Sequence, residues 1–159
     1  MTKNEWNNVE AEKIIAGFTG LKGGLMEALH GLQENFGYVD DAALPLLAEA
    51  FNLSNAEVYG VRSYYHDFRK NPAGRHIIKI CQAESCQAMG SRALTDHARR
   101  ILGLEMGQTN ASGTYTLEPV YCLGNCAISP NVMIDDKTYG RVDADRFDQI
   151  LNEVEAENV

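Results

Sequence analysis

His76-Ile-Ile-Lys-Ile-Cys81-Gln-Ala-Glu-Ser-Cys86 starts as one kind of structure and ends as another. Ile77, Ile78 and Ile80 form a short apolar run of the kind that makes a buried strand. The run ends on a cysteine, and a second cysteine follows after four residues. Further along, Thr114–Tyr121 alternates and is rich in β-branched and aromatic residues, which predicts another strand. It too runs into a cysteine pair, Cys122 and Cys126. These are the only four cysteines of the 159-residue chain. Their spacings are C-x4-C and C-x3-C, and each pair opens an irregular loop at a strand end.

The remaining elements follow outward from these strands. Ser91–Leu102 reads as a helix with Leu94, Ala98, Ile101 and Leu102 on one side and Gly103 closing it. Asn131–Ile134 and Tyr139–Val142 form a hairpin around Asp135–Thr138, and Asp143 caps a last helix carrying Phe147, Ile150, Leu151 and Val154. Strand, helix, three strands and helix describe a small α/β domain with helices on a sheet. Before it, the first half reads as helix throughout. Leu25, Leu29, Leu32 and Phe36 lie on one helical face, and Gly37 stops that helix. Asp40 and Asp41 suit the start of the next helix, with Pro45 tolerated in its first turn. Ser54 and Glu57 form a capping box for a helix running to Tyr64 or Tyr65. The segment Arg69-Lys-Asn-Pro-Ala-Gly74 is the linker. The expected organisation is a helical region over 1–70 and an α/β domain over 71–159.

Four thiolates on two loops at one sheet edge are a ligand set for a tetrahedral metal or for a [2Fe–2S] cluster. Two disulfides do not suit a chain with no sign of an oxidising compartment. Pairing at both strand ends argues against four unrelated buried cysteines. Zinc fingers and ribbons usually space their ligands C-x2-C on tight knuckles, and both spacings here are wider. The plant-type ferredoxin spacing is also absent. Spacing therefore places iron–sulfur ahead of zinc and leaves zinc open as a structural interaction domain. A four-thiolate [2Fe–2S] core carries −2 when oxidised and −3 when reduced, and so needs N–H donors around it. Ser85, Gly90, Gly124 and Asn125 allow close backbone approach or donate. No Lys or Arg lies inside either loop, and Glu84 does. The expected reduction potential is in the negative part of the roughly −700 to +450 mV range.

Cys81-Gln-Ala-Glu-Ser-Cys86, followed by Tyr121-Cys-Leu-Gly-Asn-Cys-Ala-Ile-Ser-Pro130, resembles the motif pair of the thioredoxin-like [2Fe–2S] ferredoxins. The likeness is to the 24 kDa subunit family of NADH:ubiquinone oxidoreductase and its relatives. Leu32–Val39 and Ala56–Val61 are similar to that family's helical N-terminal region, Tyr64–Phe68 to its aromatic run before the ferredoxin domain and Thr114–Leu117 to the strand leading to the second pair, and the match runs over about residues 20–152. Asn110–Thr114 departs from it, reading Asn-Ala-Ser-Gly-Thr where an Asp-Gly turn is common; the turn is expected to tolerate this. The resemblance implies a thioredoxin-like ferredoxin domain preceded by an all-helical region. It implies one [2Fe–2S] cluster per chain, held by Cys81, Cys86, Cys122 and Cys126. It also implies partners: a subunit binding flavin mononucleotide and NAD, and other iron–sulfur subunits. The chain then moves single electrons and does no bond chemistry itself. The compact chain and the run Cys81–Gly90 look most like the gamma subunit of soluble NAD-dependent formate dehydrogenase. Alternatives are the equivalent subunits of respiratory NADH:quinone oxidoreductase and of NAD-reducing hydrogenase.

Other functions find no support in the residues. Gly17–Gly24 follows no strand, so it is helix punctuation and no dinucleotide fingerprint. His30, His66, His76 and His97 are scattered, and His97 is expected on a helix surface. Leu46–Phe51 and Ala56–Tyr64 outline a helix-turn-helix, but the second helix offers only Arg62 as a cation. Fourteen basic against twenty-two acidic residues give −8, without a basic stripe. The charge is even, −4 over residues 1–73 and −4 over 74–159, and six acids gather between Asp143 and Glu157 on a solvated helix face and tail. No run of 18 apolar residues exists, mean hydropathy is −0.28, and no secretory signal opens the chain, so a cytoplasmic protein without membrane insertion is expected. Leu25, Leu29, Tyr59, Tyr64 and Phe68 are candidates for docking against the flavin subunit.

Overall fold

The structure is a computed structural model that describes residues 5–156, so Glu157 of the acidic stretch lies outside it. The chain divides into two compact units, Met1–Pro72 and Ala73–Val159.

The first unit holds four helices: α1 (Asn8–Ala16), α2 (Gly24–Phe36), α3 (Ala43–Phe51) and α4 (Asn55–Tyr64). Leu29, Leu32 and Phe36 of α2 are buried with Ala11 and Ile15 of α1, Leu47 of α3 and Val58 of α4, while Leu25 is only half-buried. Gly37 takes the left-handed conformation, φ +86°, and its N–H closes α2 onto the Gln33 carbonyl. Pro45 lies in the first turn of α3, and the Asp40 carboxylate accepts from the Ala42 N–H at 2.8 Å. The Ser54–Glu57 capping box is formed from both sides. Within Gly17–Gly24 the glycines turn the chain from α1 into α2. A Cβ on Gly24 would meet the Phe18 carbonyl oxygen, so that turn accepts no side chain. Two docking candidates are used up in this core: Leu29 is fully buried and Phe68 is 5% exposed.

Arg62 is also an inside residue, 1% exposed. Its guanidinium donates to the Val39 carbonyl at 3.0 Å and to Asp41 Oδ1 at 2.6 Å. It thereby pins α4 to the segment entering α3. The cation that a DNA-reading use of α4 would need is turned inward.

The second unit is a five-stranded sheet in the order β2-β3-β1-β4-β5. The strands are β1 (His76–Cys81), β2 (Gln108–Thr109), β3 (Tyr115–Val120), β4 (Val132–Ile134) and β5 (Lys137–Tyr139). The central β1 runs parallel to β3 and antiparallel to β4. Alternation sends Ile78, Ile80, Tyr115, Leu117, Val132 and Ile134 to one core, shared with α6 (Ser91–Leu102) and α7 (Ala144–Ala156). A short helix, α5 (Glu84–Ala88), precedes α6. Leu94 and Ala98 of α6 and Phe147, Ile150, Leu151 and Val154 of α7 are buried, but Ile101 is half exposed. Asp143 caps α7 by accepting from the Arg146 N–H at 2.9 Å. The hairpin is tighter than the expected one. Ile134 pairs with Lys137 across a two-residue turn, with Asp135 at φ +53°. In the departing turn, Asn110 Oδ1 accepts the N–H groups of Thr114 and Tyr115 at 2.8 and 3.0 Å. The Asx-type bonding replaces the Asp of the common pattern.

His97 is no simple surface residue. Its Nε2 lies 2.7 Å from Asp148 Oδ1 and its Nδ1 2.9 Å from Arg100, which ties α6 to α7.

Two outcomes follow from these contacts. Arg62→Ala leaves the buried Val39 carbonyl without its donor and is expected to cost the helical unit about 1–3 kcal/mol in urea unfolding. Arg62→Lys restores little of that loss, because one ammonium cannot reproduce the two-armed fork. The Tyr115 hydroxyl, buried and donating to Glu155 at 2.9 Å, is pushed up to about 12, first by burial and then by that carboxylate. The folded chain therefore keeps this proton after the unfolded chain, near pH 10, has released its own. The stability from this site is complete below about pH 10 and is lost as pH rises toward 12. Denaturation across that window should show a falling slope that Tyr115→Phe reduces.

Candidate metal centre

The β1–β3 register decides where the cysteines meet. Residue by residue the parallel pairing runs from His76 opposite Tyr115 to Cys81 opposite Val120. Both strands therefore end at the same sheet edge, and the chain leaving each one carries a thiol pair. Cys81 is the last residue of β1, and Cys122 lies two residues beyond the end of β3. The second member of each pair sits on a short helical turn rather than in an irregular loop. Cys86 lies in α5, and Cys126 opens a 3-10 turn, Cys126–Ile128. Turns of five and three residues are too short to carry a readable periodicity.

All four cysteines are free thiols, the first pair buried and the second exposed. Within each pair the two thiols perturb each other, and the charge of Cys86 is felt across the pairs at Cys126. Among the described residues, no group of three or more His, Cys, Asp or Glu side chains is gathered as a metal site. The thiols stand as two neighbouring pairs.

Donors surround them. The backbone N–H groups of Ala83 and Leu123 reach Cys81. The Gly124 N–H reaches Cys122 Sγ at 3.3 Å, at a residue with φ +72° that favours glycine. The Asn131 side-chain amide lies 3.6 Å from Cys86 Sγ and its backbone N–H also serves that sulfur. The Cys86 thiol itself meets Ser129 Oγ at 3.4 Å.

These surroundings separate the thiols. Burial pushes Cys81 up, only partly opposed by the Ala83 N–H. Burial pushes Cys86 up as well, but hydrogen bonds from Ser129, Cys81 and Asn131 outweigh it, and Cys86 lies below the ordinary cysteine value. Cys126 is raised, chiefly by the neighbouring charge of Cys122.

Of the residues read from sequence as donors, Gly124 reaches a sulfur directly. Ser85 and Asn125 act one step away: Ser85 Oγ donates to the Cys126 carbonyl at 3.3 Å, and Asn125 bonds Asn131 at 3.0 Å. Gly90 starts α6 in a left-handed conformation. Sequence reasoning quoted Ser129 in the second cysteine motif without giving it a role and missed Asn131; the two flank Pro130, whose peptide bond to Ser129 is cis. The sequence signal for Asn131 is only a polar residue after a proline just before a strand. Glu84 is exposed. Among the described residues, no helix is long and apolar enough to cross a membrane.

The thioredoxin-like [2Fe–2S] ferredoxin family matches residues 11–155 of the chain. One NADH-quinone oxidoreductase subunit, from Pseudomonas aeruginosa, is 39% identical over 126 residues, 79% of this chain and 76% of that protein. Its counterpart from Rhizobium meliloti is 31% identical over 147 residues, 92% of this chain and 88% of that protein. Among solved structures, air-oxidised NAD+-reducing [NiFe]-hydrogenase superposes with a TM-score of 0.67 at 28% identity. That match covers 84% of this chain and 23% of the hydrogenase chain, so this chain spans about a quarter of it. With its thiol pairs at the edge of a mixed sheet, the chain belongs to the thioredoxin-like [2Fe–2S] ferredoxins.

Proposed function

We propose that the chain transfers single electrons through one [2Fe–2S] cluster held by Cys81, Cys86, Cys122 and Cys126, as a subunit of an NAD-linked oxidoreductase complex. The carrying observation is the convergence of two thiol pairs, ringed by N–H and O–H donors, at one sheet edge. Four sulfurs with no carboxylate among them suit iron–sulfur better than a hard cation. Two neighbouring thiol pairs are a donor set that would hold a two-iron cluster. When bound, such a cluster accepts and returns one electron at a time.

The protein's own residues divide the remaining work. Cys81 and Cys86 anchor the site inside the fold. Cys122 and Cys126 bring it to the surface, beside Tyr121 at 75% exposure. An electron partner can approach on that side. This chain has no dinucleotide fingerprint, so the flavin mononucleotide and NAD belong to a partner subunit, with other iron–sulfur subunits beyond it. The helical region is the docking module. With Leu29 and Phe68 committed to the core, Tyr59 and Tyr64, at 48% and 74% exposure, are its contact residues. The chain works in the cytoplasm.

The finer assignment is the gamma subunit of NAD-dependent formate dehydrogenase, supported by the compact chain and the look of Cys81–Gly90. The NADH-quinone oxidoreductase relatives favour a second reading, the respiratory complex, and the hydrogenase likeness a third.

Isolating the complex through a tag on this chain tests the proposal. A flavin- and NAD-binding subunit should co-purify. A molybdenum-type subunit then marks formate dehydrogenase, a membrane arm the respiratory complex, and nickel a hydrogenase. A chain that purifies alone, cluster-loaded, is a free carrier and overturns the subunit assignment. For the ligands, Cys86→Ala and Cys122→Ala should each reduce the visible absorption of anaerobically purified protein to background, while His97→Ala keeps it. Retention of a wild-type spectrum by either cysteine variant contradicts the ligand set. The midpoint should be negative against the hydrogen electrode, and a value above zero contradicts it.

A further inference from the structure

We propose that Ser129 and Ser85 form a hydroxyl relay that places an O–H on the Cys86 sulfur and so raises the reduction potential of the cluster. The inference rests on the electron-transfer reading above. Ser129 is 7% exposed, and three groups compete for its hydroxyl. Its Oγ lies 3.4 Å from Cys86 Sγ, 2.9 Å from the Cys126 carbonyl oxygen and 3.0 Å from Ser85 Oγ. In the thiol form the order is simple. Cys86 donates to Ser129, and Ser129 donates to Cys126.

A metal-bound cysteine carries no proton, so Cys86 can then only accept. Two lone-pair atoms would face each other at 3.4 Å unless Ser129 turns its one proton onto the sulfur. That turn takes one donor from the Cys126 carbonyl, which keeps the Ser129 backbone N–H at 3.4 Å. Ser85 Oγ, which donates to the same carbonyl at 3.3 Å, keeps it satisfied when Ser129 turns away. Ser85 is thus the group that releases Ser129. The other side chain near Cys86 has no such freedom. The Asn131 amide is held on both sides, donating to the Asn125 carbonyl at 2.8 Å and accepting from the Asn125 amide at 3.0 Å.

Reduction brings one electron from a reduced flavin, or from an electrode, and no bond to sulfur forms or breaks. The added charge spreads onto the sulfurs, so an O–H···S bond is stronger after reduction than before and favours it. Burial keeps water from replacing the hydroxyl. Ser129 is a positioning and tuning residue of the site, and Ser85 acts through it.

The test is the midpoint potential of the full chain carrying the cluster, followed by electron paramagnetic resonance during a mediated titration. Ser129→Ala should disfavour reduction about threefold, a negative shift of about 28 mV for a one-electron couple at 59 mV per decade. Ser129→Thr keeps the hydroxyl and should keep the midpoint. Ser85→Ala should shift it in the same direction by less. An unchanged midpoint in Ser129→Ala with full iron and sulfide overturns the relay, as does an equal shift in Ser129→Thr, which would report packing alone. If Ser129→Ala fails to hold a cluster, Ser85→Ala decides, and its unchanged midpoint overturns the relay. A wild-type chain that takes up no cluster from iron and sulfide refutes the electron-transfer reading instead, a distinct result.

Discussion

The parallel pairing of β1 with β3 is the constraint on which the site depends. Antiparallel neighbours would send the two cysteine-bearing chain ends to opposite edges of the sheet. Parallel neighbours send both to one edge, and the direct opposition of Cys81 and Val120 sets their level. That register is held by burial. Ile78, Ile80 and Leu117 are fully enclosed, and a one-residue slip would turn each of them out of the core. The strand register that places the ligands is therefore set by apolar packing. The crossover between the two strands contains α6, whose Leu94 and Ala98 pack on the same core.

The site that results is lopsided. One pair of thiols is enclosed and the other faces solvent. Enclosure alone would push thiols up and resist holding charge there. The fold answers with donors, and Cys86, inside, ends below the ordinary cysteine value because Ser129 and Asn131 outweigh its burial. The outer pair has fewer donors and faces solvent. In a chain of net charge −8, with no Lys or Arg inside either loop, such dipoles are the means the loops have for steadying an anionic group. They bind it in place without neutralising it.

Much of this was legible in the residues. The 4-3-4 spacing of Leu25 to Phe36, the Ser54–Glu57 box and the apolar run before Cys81 are local signals, and local signals survive into the fold. The cysteine spacings were legible because thiols at two strand ends are rare by chance. What was not legible depends on distance in sequence. Arg62 reads as a surface cation until Val39 and Asp41, more than 20 residues away, are seen to hold it. His97 reads as exposed until α7 brings Asp148 against it. Leu29 and Phe68 could serve a core or a partner equally well on pattern alone, and the core takes them. Strand β2, with two residues, and the turns holding Cys86 and Cys126 are below the length at which periodicity exists. The hairpin shifted because Asp135 adopts a left-handed conformation that a sequence pattern does not announce. Ser129 and Asn131 gain their meaning only from their nearness to Cys86.

The central claim is that these four thiols hold a two-iron, two-sulfide cluster. Iron, acid-labile sulfide and zinc, measured per chain on protein purified without oxygen, test it most directly. Two irons and two sulfides per chain, with negligible zinc, are the expected result. One zinc and no sulfide, persisting after attempted reconstitution with iron and sulfide, would contradict the account and leave a structural metal domain in its place.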